Sequence, residues 1–386
     1  MNTSTLYYSK ALNGSDLPAK TLCLTFDDGP GQHTLSIARF LFEHHIRATF
    51  FVVGKYAFHH PEILAELKAM NHIIGNHTYD HPDMPVYLSV DGDVIDQVLR
   101  TDVLIKPYAG QEVYFRPPYG KWSKEVAEEL NKSMLTANHI GPIHWEVAGI
   151  DCYYWYNNWP VADAAKRYLD DIEQNGHGIV VMHDDVSDMD VVKAKNQTLQ
   201  LLQLLIPQLL EFGYQFVGLD EIPSIKEASA QKDQFTLRDR KGKFLCLNNQ
   251  NQLIANGKPD NLQNILQFQD LGYGKIAIKA SNQLYWSTAG EAGFLSAKST
   301  EIAAEETFDL ITVNKNKLML RATNGNYLTI EKNGIVSSSA QYMRQAAVFR
   351  YVNHNSFVES KLTLQQRFKL LKKKLLFIKS KLQQKL

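Results

Sequence analysis

Short apolar runs alternate with amphipathic segments through residues 21–220 of the chain. Seven of these runs have strand character: Thr21–Phe26, Ala48–Val53, Ile73–His77, Val113–Arg116, Ile143–Val147, Ile179–His183 and Tyr214–Gly218. The segments between most of them repeat apolar residues every three or four positions, which is typical of amphipathic helices. Alternating strands and helices predict a parallel sheet, and about seven strands in roughly 200 residues favour a distorted (β/α) barrel.

The pattern changes after Pro223, where helical periodicity gives way to short strands separated by Asn, Gln and Gly. Three similar stretches begin at Phe235, Ile276 and Leu318, and each unit ends in an apolar strand that contains Phe. A period of about 41 residues, with four strands in each of three units, predicts an all-β trefoil. Its G-N-Y-L-T and E-T-F-D-L segments resemble the fascin-like trefoils. This scaffold binds sugars or proteins, so its ligand stays open, and it supplies no reaction by itself.

The last segment, Lys361–Leu386, contains nine Lys or Arg residues and no acidic residue. Its apolar residues have the spacing of one helical face: Leu364, Phe368, Leu371, Leu375, Ile378 and Leu382. A coiled coil normally mixes charges, whereas an all-basic polar face suits a helix in peripheral contact with an anionic membrane. Because the whole chain is neutral, the remainder carries −9 (0 minus 9), and docking onto it is the alternative.

These patterns divide the 386 residues into four segments. We predict an N-terminal extension at 1–18, a (β/α) barrel at 19–224, a trefoil at 231–355 and a basic amphipathic helix at 360–386. Zero net charge argues against a nucleic-acid partner. The three cysteines are far apart and odd in number, which predicts free thiols. Neither a signal peptide nor an apolar run long enough to span a bilayer is visible, so we expect a cytoplasmic or peripheral membrane location.

Polar side chains follow several predicted strands. Asp27 and Asp28 end the first one before a Gly-Pro break. A turn with a helix cap would explain one carboxylate, but two adjacent ones repel and are usually offset by a bound cation. His77 and His81 follow the third strand at i and i+4, although a chance pair is not rare among thirteen histidines. One Asp with two His is typical of a Zn²⁺ site that keeps open positions.

These motifs, in this order, resemble the polysaccharide deacetylases that share the NodB homology domain (carbohydrate esterase family 4). The resemblance covers roughly Ala19–Ile222. T-F-D-D-G-P is complete at Thr25–Pro30, H-[ST]-x-x-H at His77–His81 and R-P-P-[YF]-G at Arg116–Gly120. A further apolar strand ends at His183.

The fourth motif of that family, Trp-x-x-Asp-x-x-Asp-Trp, is only partly present. Trp145 and Asp151 match it, while Ala148 replaces the first Asp and Cys152 replaces the final Trp. We expect Trp155 to take the place of that final Trp in the wall of the substrate pocket. The replacements at Ala148 and Cys152 affect the expected shape of the pocket, and therefore which substrate it accepts.

The resemblance implies roles for the residues that would bind the metal ion and activate the attacking water. Asp28, His77 and His81 would hold a divalent metal ion, most consistent with Zn²⁺. Asp27 would be the general base, and Arg116 would pair with it and keep it ionised.

The resemblance also implies the roles on the leaving-group side. His183 would be the general acid, with Asp151 orienting its imidazole. The backbone at Tyr119 would stabilise the oxyanion, and Tyr119 and Trp155 would contact substrate.

The leading hypothesis is a metal-dependent hydrolase that removes N-acetyl groups from amino sugars of a glycan. One alternative is a non-catalytic carbohydrate-binding protein, in which the altered fourth motif marks lost activity. Another is a deacylase of a lipid-linked sugar at a membrane surface, suggested by the basic C-terminal segment.

Overall fold

A computed structural model of the protein describes residues 11–110, 112–133, 135–136, 139–148, 150–186, 188–231, 234–258, 261–272, 274–290, 293–314 and 316–353. Two compact units divide between residues 233 and 234. The predicted N-terminal extension is described only from residue 11, and the predicted basic helix at 361–386 lies outside the described residues. No described helix combines the length and the apolar character needed to cross a bilayer.

The first unit is built on a parallel sheet. Its strands are β1 (Thr21–Asp27), β2 (Thr49–Val52), β3 (Ile73–Asn76), β4 (Gly178–His183) and β5 (Gln215–Phe216). β1 pairs with β2 and β4 on its two sides and with β5 at its first residues, while β3 pairs with the far side of β2. Every residue of β1 is buried, as expected for a parallel strand that is covered on both faces. The carboxyl ends of β1 to β4 therefore lie along one edge of the sheet.

Two of the predicted strands, at 113–116 and 143–147, are present only as isolated bridges. The bridges are Asn76–Phe115, Tyr114–Ile140 and Val147–Val180. They connect β3 back to β4 and close the ring, which confirms the predicted distorted barrel. The segments fall short of regular strands because Pro117 and Pro118 follow the first and Pro142 precedes the second, and proline cannot donate to a ladder.

Helices surround this sheet. They are α1 (Thr34–Glu43), α2 (Gly54–His59), α3 (Pro61–Ala69), α4 (Met84–Ser89), α5 (Val94–Ile105), α6 (Lys124–Leu130), α7 (Asp151–Asn157), α8 (Val161–Asn175), α9 (Asp190–Lys193), α10 (Thr198–Glu211) and α11 (Pro223–Gln231). The longer ones bury one apolar stripe. In α10, Leu201, Leu202, Leu205 and Leu209 are fully buried, which is the helical spacing seen in the sequence.

The second unit is antiparallel. Its strands are β6 (Gln234–Arg238), β7 (Phe244–Leu247), β8 (Leu253–Gly257), β9 (Leu266–Gly272), β10 (Lys275–Lys279), β11 (Tyr285–Ser287), β12 (Ser296–Ser299), β13 (Phe308–Asn314), β14 (Lys317–Ala322), β15 (Tyr327–Ile330), β16 (Val336–Ala340) and β17 (Phe349–Asn353). Within the described residues these are three successive groups of four, which confirms the predicted trefoil. The groups share a core, where Phe235, Phe268, Phe308 and Phe349 are buried.

We predict that a fragment spanning residues 231–355 folds alone, because the three repeats bury their apolar side chains against one another. The fragment should give a cooperative thermal melt and a β-type circular dichroism spectrum. A matched variant, Phe308→Ala, removes one fully buried ring and should lower the free energy of unfolding by about 3–5 kcal/mol. A fragment without a cooperative transition would contradict the prediction of an independent trefoil.

Candidate active site

Asp27 and Asp28 lie at the carboxyl end of β1, where the chain turns sharply. Both carboxylates are buried, and Asp28 has a left-handed backbone with φ of 78°. The next residue, Gly29, has no room for a side chain, since a Cβ atom there would lie 2.0 Å from Asp184 Oδ2. The Gly-Pro break thus fixes the direction in which the two adjacent aspartates point.

Asp184 lies against this turn and was not among the predicted site residues. Its carboxyl group accepts hydrogen bonds from the Gly29 N–H at 3.2 Å and from the hydroxyl of Thr34. Burial raises the pKa of Asp184 to about 8. The group is therefore mostly uncharged at neutral pH, and it adds little negative charge beside Asp28.

The loop that carries the two histidines begins where β3 ends. Thr78 and His81 have left-handed backbones, with φ of 67° and 63°, which fold the chain back on itself. Gln97 on α5 fixes this fold, because its side-chain oxygen accepts the N–H groups of Tyr79 and Asp80 at 3.2 and 2.9 Å. The histidines at i and i+4 consequently face the same point without a helix between them.

Asp28, His77 and His81 converge there, and their ligand atoms lie within 4.8 Å of one another. Asp28 Oδ1 is 3.5 Å from Nε2 of His77 and 3.0 Å from Nε2 of His81. The other ring nitrogens are engaged elsewhere: Nδ1 of His77 contacts the Arg116 carbonyl at 2.7 Å, and Nδ1 of His81 contacts Asp188 at 2.8 Å. Such partners orient histidines for binding a metal through Nε2.

The electrostatics of this group favour a cation. Burial alone raises the pKa of Asp28, but hydrogen bonds from His77 and His81 outweigh it and hold the pKa well below its usual range. Burial likewise lowers the pKa of His81, yet contacts with Asp28 and Asp188 outweigh that effect and raise it. A carboxylate with two imidazoles is a donor set that Zn²⁺ and similar ions accept, so these residues fit a divalent metal ion.

Arg116 is the buried partner of Asp27. Its Nη1 donates to Asp27 Oδ1 at 2.7 Å and to the hydroxyl of Thr25 at 2.8 Å, and the side chain is fully buried. Its guanidinium also lies 4.2 Å from the centre of the Phe51 ring. Because a buried charge left without its partner typically costs about 3–5 kcal/mol, the pair fixes the position of the Asp27 carboxyl group.

Asp151 and His183 form the second ion pair of the site. Asp151 begins α7 and is fully buried, while the His183 side chain at the end of β4 is 20% exposed. Asp151 Oδ1 lies 2.8 Å from His183 Nδ1, and its Oδ2 accepts the His183 backbone N–H at 2.7 Å. Two contacts with one carboxylate fix the orientation of the ring.

Cys152 lies beside this pair. Burial lowers the pKa of His183, but Cys152 and Asp151 outweigh it and raise the pKa well above its usual value. Burial raises the pKa of the Cys152 thiol to about 11, so the thiol is neutral near pH 7. Asp151 is therefore the anion that stabilises the imidazolium form of His183. Cys152 and the other cysteines are free, as predicted.

Tyr119 lies on the metal side, on a left-handed backbone with φ of 58°. Its ring packs edge-on 4.6 Å from the ring of His81, and its hydroxyl donates to Asp188. With 54% of its surface exposed, Tyr119 is accessible to a substrate. Asp188 therefore contacts both the Tyr119 hydroxyl and the His81 ring, and it holds these two side chains together.

The expected substrate contact of Trp155 is not supported. Its side chain is fully buried, and its Nε1 donates to the hydroxyl of Thr198 at 3.3 Å. Trp155 is four residues after Asp151 on α7, so it shares the buried face of that helix. The exposed rings of this region are instead Tyr153, Tyr156 and Trp159.

Asp184, Asp188 and Thr198 were not among the predicted site residues. Asp184 had a usable signal, since His183 is followed by two adjacent aspartates, as Phe26 is. Asp188 and Thr198 had none, because their partners, His81 and Asp151, are distant in the sequence.

The comparisons with known proteins address both units. The family model described as polysaccharide deacetylase matches residues 14–137, and the one described as fascin domain matches residues 264–351. A chitooligosaccharide deacetylase of Sinorhizobium fredii is 33% identical over 221 residues, which are 54% of this chain and 94% of that protein.

Two further similarities concern peptidoglycan enzymes. A peptidoglycan-N-acetylglucosamine deacetylase of Bacillus cereus is 26% identical, over 52% of this chain and 70% of that protein. The crystal structure of a peptidoglycan N-acetylglucosamine deacetylase is 26% identical with a TM-score of 0.44, and the match covers 54% of this chain and 90% of that one.

We predict that the protein retains one tightly held equivalent of divalent metal after gel filtration in metal-free buffer. His77→Ala removes one of three converging donors and should lose that equivalent, as measured by elemental analysis. His59→Ala, at an exposed histidine on α2, is the matched control and should keep it. A tightly held equivalent that survives in a His77→Ala/His81→Ala double variant would show that the metal binds elsewhere.

Proposed function

Because the chain belongs to the polysaccharide deacetylase family, we propose that it hydrolyses the N-acetyl amide of amino sugars within a glycan. The observation that carries the proposal is the convergence of a metal-type donor set with two separate carboxylate–cation pairs at one edge of the sheet. Asp27 with Arg116 and Asp151 with His183 supply one base and one acid, which is what amide hydrolysis requires.

Asp28, His77 and His81 hold the metal ion in this proposal, and Zn²⁺ is the ion that best suits one carboxylate and two imidazoles. A bound divalent ion supplies a Lewis acid, which polarises the acetyl carbonyl and lowers the pKa of an attacking water towards about 7. Asp188 and the Arg116 carbonyl keep the two histidine rings facing the ion.

Asp27 is the general base. Its Oδ1 is occupied by Arg116 at 2.7 Å, so Oδ2 is the atom that accepts the proton of the attacking water. Arg116 keeps the carboxylate oriented before the reaction. The water oxygen then forms the new bond to the acetyl carbon, and the backbone N–H at Tyr119 stabilises the charge on the carbonyl oxygen.

His183 is the general acid. Asp151 holds its Nδ1 and favours the imidazolium form, so Nε2 carries a proton towards the cleft. That proton passes to the amide nitrogen as the carbon–nitrogen bond breaks, which releases acetate and a free amino sugar. The reaction leaves Asp27 protonated and His183 neutral, and exchange with solvent restores both.

The site contains a base, an acid and a set of metal-type donors. This argues against the alternative of a non-catalytic carbohydrate-binding protein. A lipid-linked sugar as substrate was suggested by the segment at 361–386, which lies outside the described residues, and it stays a prediction. Among glycans, we propose polymers or oligomers of N-acetylated amino sugars. The exposed rings of Tyr153 and Trp159, in edge-to-face contact at 5.3 Å, support this class because they offer surfaces on which sugar rings stack.

The direct test is acetate release by the purified protein from N-acetylated chitooligosaccharides and from peptidoglycan glycan strands. We expect release from at least one of them, loss of activity with a chelator, and recovery when divalent metal is restored. Release that is insensitive to a chelator would contradict the metal role, and no release from any acetylated amino sugar would contradict the function.

The roles of the base and the acid are tested by Asp27→Asn and His183→Ala. Each variant should lower kcat/KM by about 10²–10⁴-fold, because it removes one proton-transfer group. Both should retain the tightly held metal, and His59→Ala should retain activity. If either variant deacetylated a competent substrate at close to the wild-type rate, the corresponding assignment would be wrong.

A further inference from the structure

Cys152 introduces a sulfur donor beside the acid pair of the site. One ligand atom from each of Asp151, Cys152 and His183 lies within 4.8 Å of the other two. Three donors of different chemistry, a carboxylate, a thiol and an imidazole, thus converge at a point separate from the group formed by Asp28 and its histidines.

The backbone holds these three donors in place. Asp151 and Cys152 form the first turn of α7, and His183 ends β4. Asp151 is fixed by the His183 N–H at 2.7 Å and by the hydroxyl of Thr198 at 3.4 Å. Little conformational entropy remains to be lost when a cation binds, because the donors are already ordered.

We propose that Asp151, Cys152 and His183 form a second binding site for a thiophilic divalent cation such as Zn²⁺, and that occupation of this site inhibits the enzyme. A thiolate, an imidazole and a carboxylate make up the donor set of zinc sites, whereas Mg²⁺ and Ca²⁺ select oxygen ligands. The site stands on geometry alone, and its inhibitory effect rests on the proposed function of His183 as the acid.

Binding requires a modest rearrangement. Zinc–ligand bonds of about 2.0–2.3 Å place neighbouring ligand atoms roughly 3.3–3.8 Å apart in a tetrahedron. The contact between Asp151 Oδ1 and His183 Nδ1, now 2.8 Å, must open slightly, and any donor separation close to the 4.8 Å limit must shorten. The thiol proton and the Nδ1 proton leave to solvent as the cation enters. This site is consequently weaker than the one at Asp28, and it fills when the cation is added in excess.

Occupation removes the acid. A cation on Nδ1 replaces the proton that Asp151 holds there, so His183 can no longer form the imidazolium that donates from Nε2. Asp28, His77 and His81 take no part in this change. The enzyme would thus lose its activity while it retains its tightly held metal.

Cd²⁺ titration of the metal-loaded protein tests the site without an activity measurement, through the ultraviolet charge-transfer absorption of the Cd–thiolate bond. We expect one additional equivalent to bind to the wild type with this absorption, and Cys152→Ser to lose it. Cys246→Ser is the matched control, since it removes another cysteine, in the second unit, and should behave like the wild type. The same absorption in Cys152→Ser would overturn the proposal.

Inhibition by added Zn²⁺ tests the consequence. The Zn²⁺ concentration that halves activity should rise at least tenfold in Cys152→Ser. Replacing a residue that only supports a metal ligand already lowers metal affinity about 10- to 100-fold, and Cys152→Ser replaces a ligand itself. If circular dichroism shows that Cys152→Ser does not fold, Cys152→Ala replaces it in this test. Equal inhibition of wild type and variant would overturn the inhibitory role. A wild type that bound the extra Cd²⁺ but deacetylated nothing would overturn the proposed function and leave the cation site standing.

Discussion

Arg116 is the residue on which the geometry of the candidate site at the edge of the barrel depends. Its guanidinium is fully buried and binds Asp27 and Thr25 of β1, and its Nε donates to the Ile143 carbonyl at 3.2 Å. Its own carbonyl contacts Nδ1 of His77 at 2.7 Å. One residue therefore joins the central strand, the two bridging segments that close the ring and the orientation of a candidate metal ligand. A buried charge of this kind is tolerated only when its partners are in place, so the closed barrel and the position of the Asp27 carboxyl group depend on each other.

Hydrophobic periodicity predicted the fold well, because burial is a property of each segment that local sequence records. The buried run of β1 was visible in this way, and helices between most of the strands were predicted from their apolar spacing. Periodicity overestimated the segments at 113–116 and 143–147, where the apolar pattern is present but neighbouring prolines remove ladder hydrogen bonds. The trefoil was recognised from repetition, since three similar units can bury a common core only by packing together.

The site was predictable where its chemistry is concentrated in short motifs, and less so where it depends on packing. Asp28 and His81 stood out because of their neighbours in the sequence. Asp188 and Thr198 did not, since each acts on a residue that is distant in the chain and contacts it only after folding. Trp155 was misjudged for a related reason: the sequence shows an aromatic run, but the rotation of α7 decides which rings face the core.

The turn after β1 couples two positions that are 155 residues apart. Gly29 has no space for a methyl group because Asp184 occupies it, and the Gly29 N–H binds the same carboxyl group. A larger residue at position 29 would collide with the carboxyl group of Asp184, whereas a smaller residue at position 184 would leave space beside Gly29. The order of substitution therefore matters: variants of this enzyme, whether they arise by natural drift or in a laboratory library, should change position 184 before, or together with, position 29.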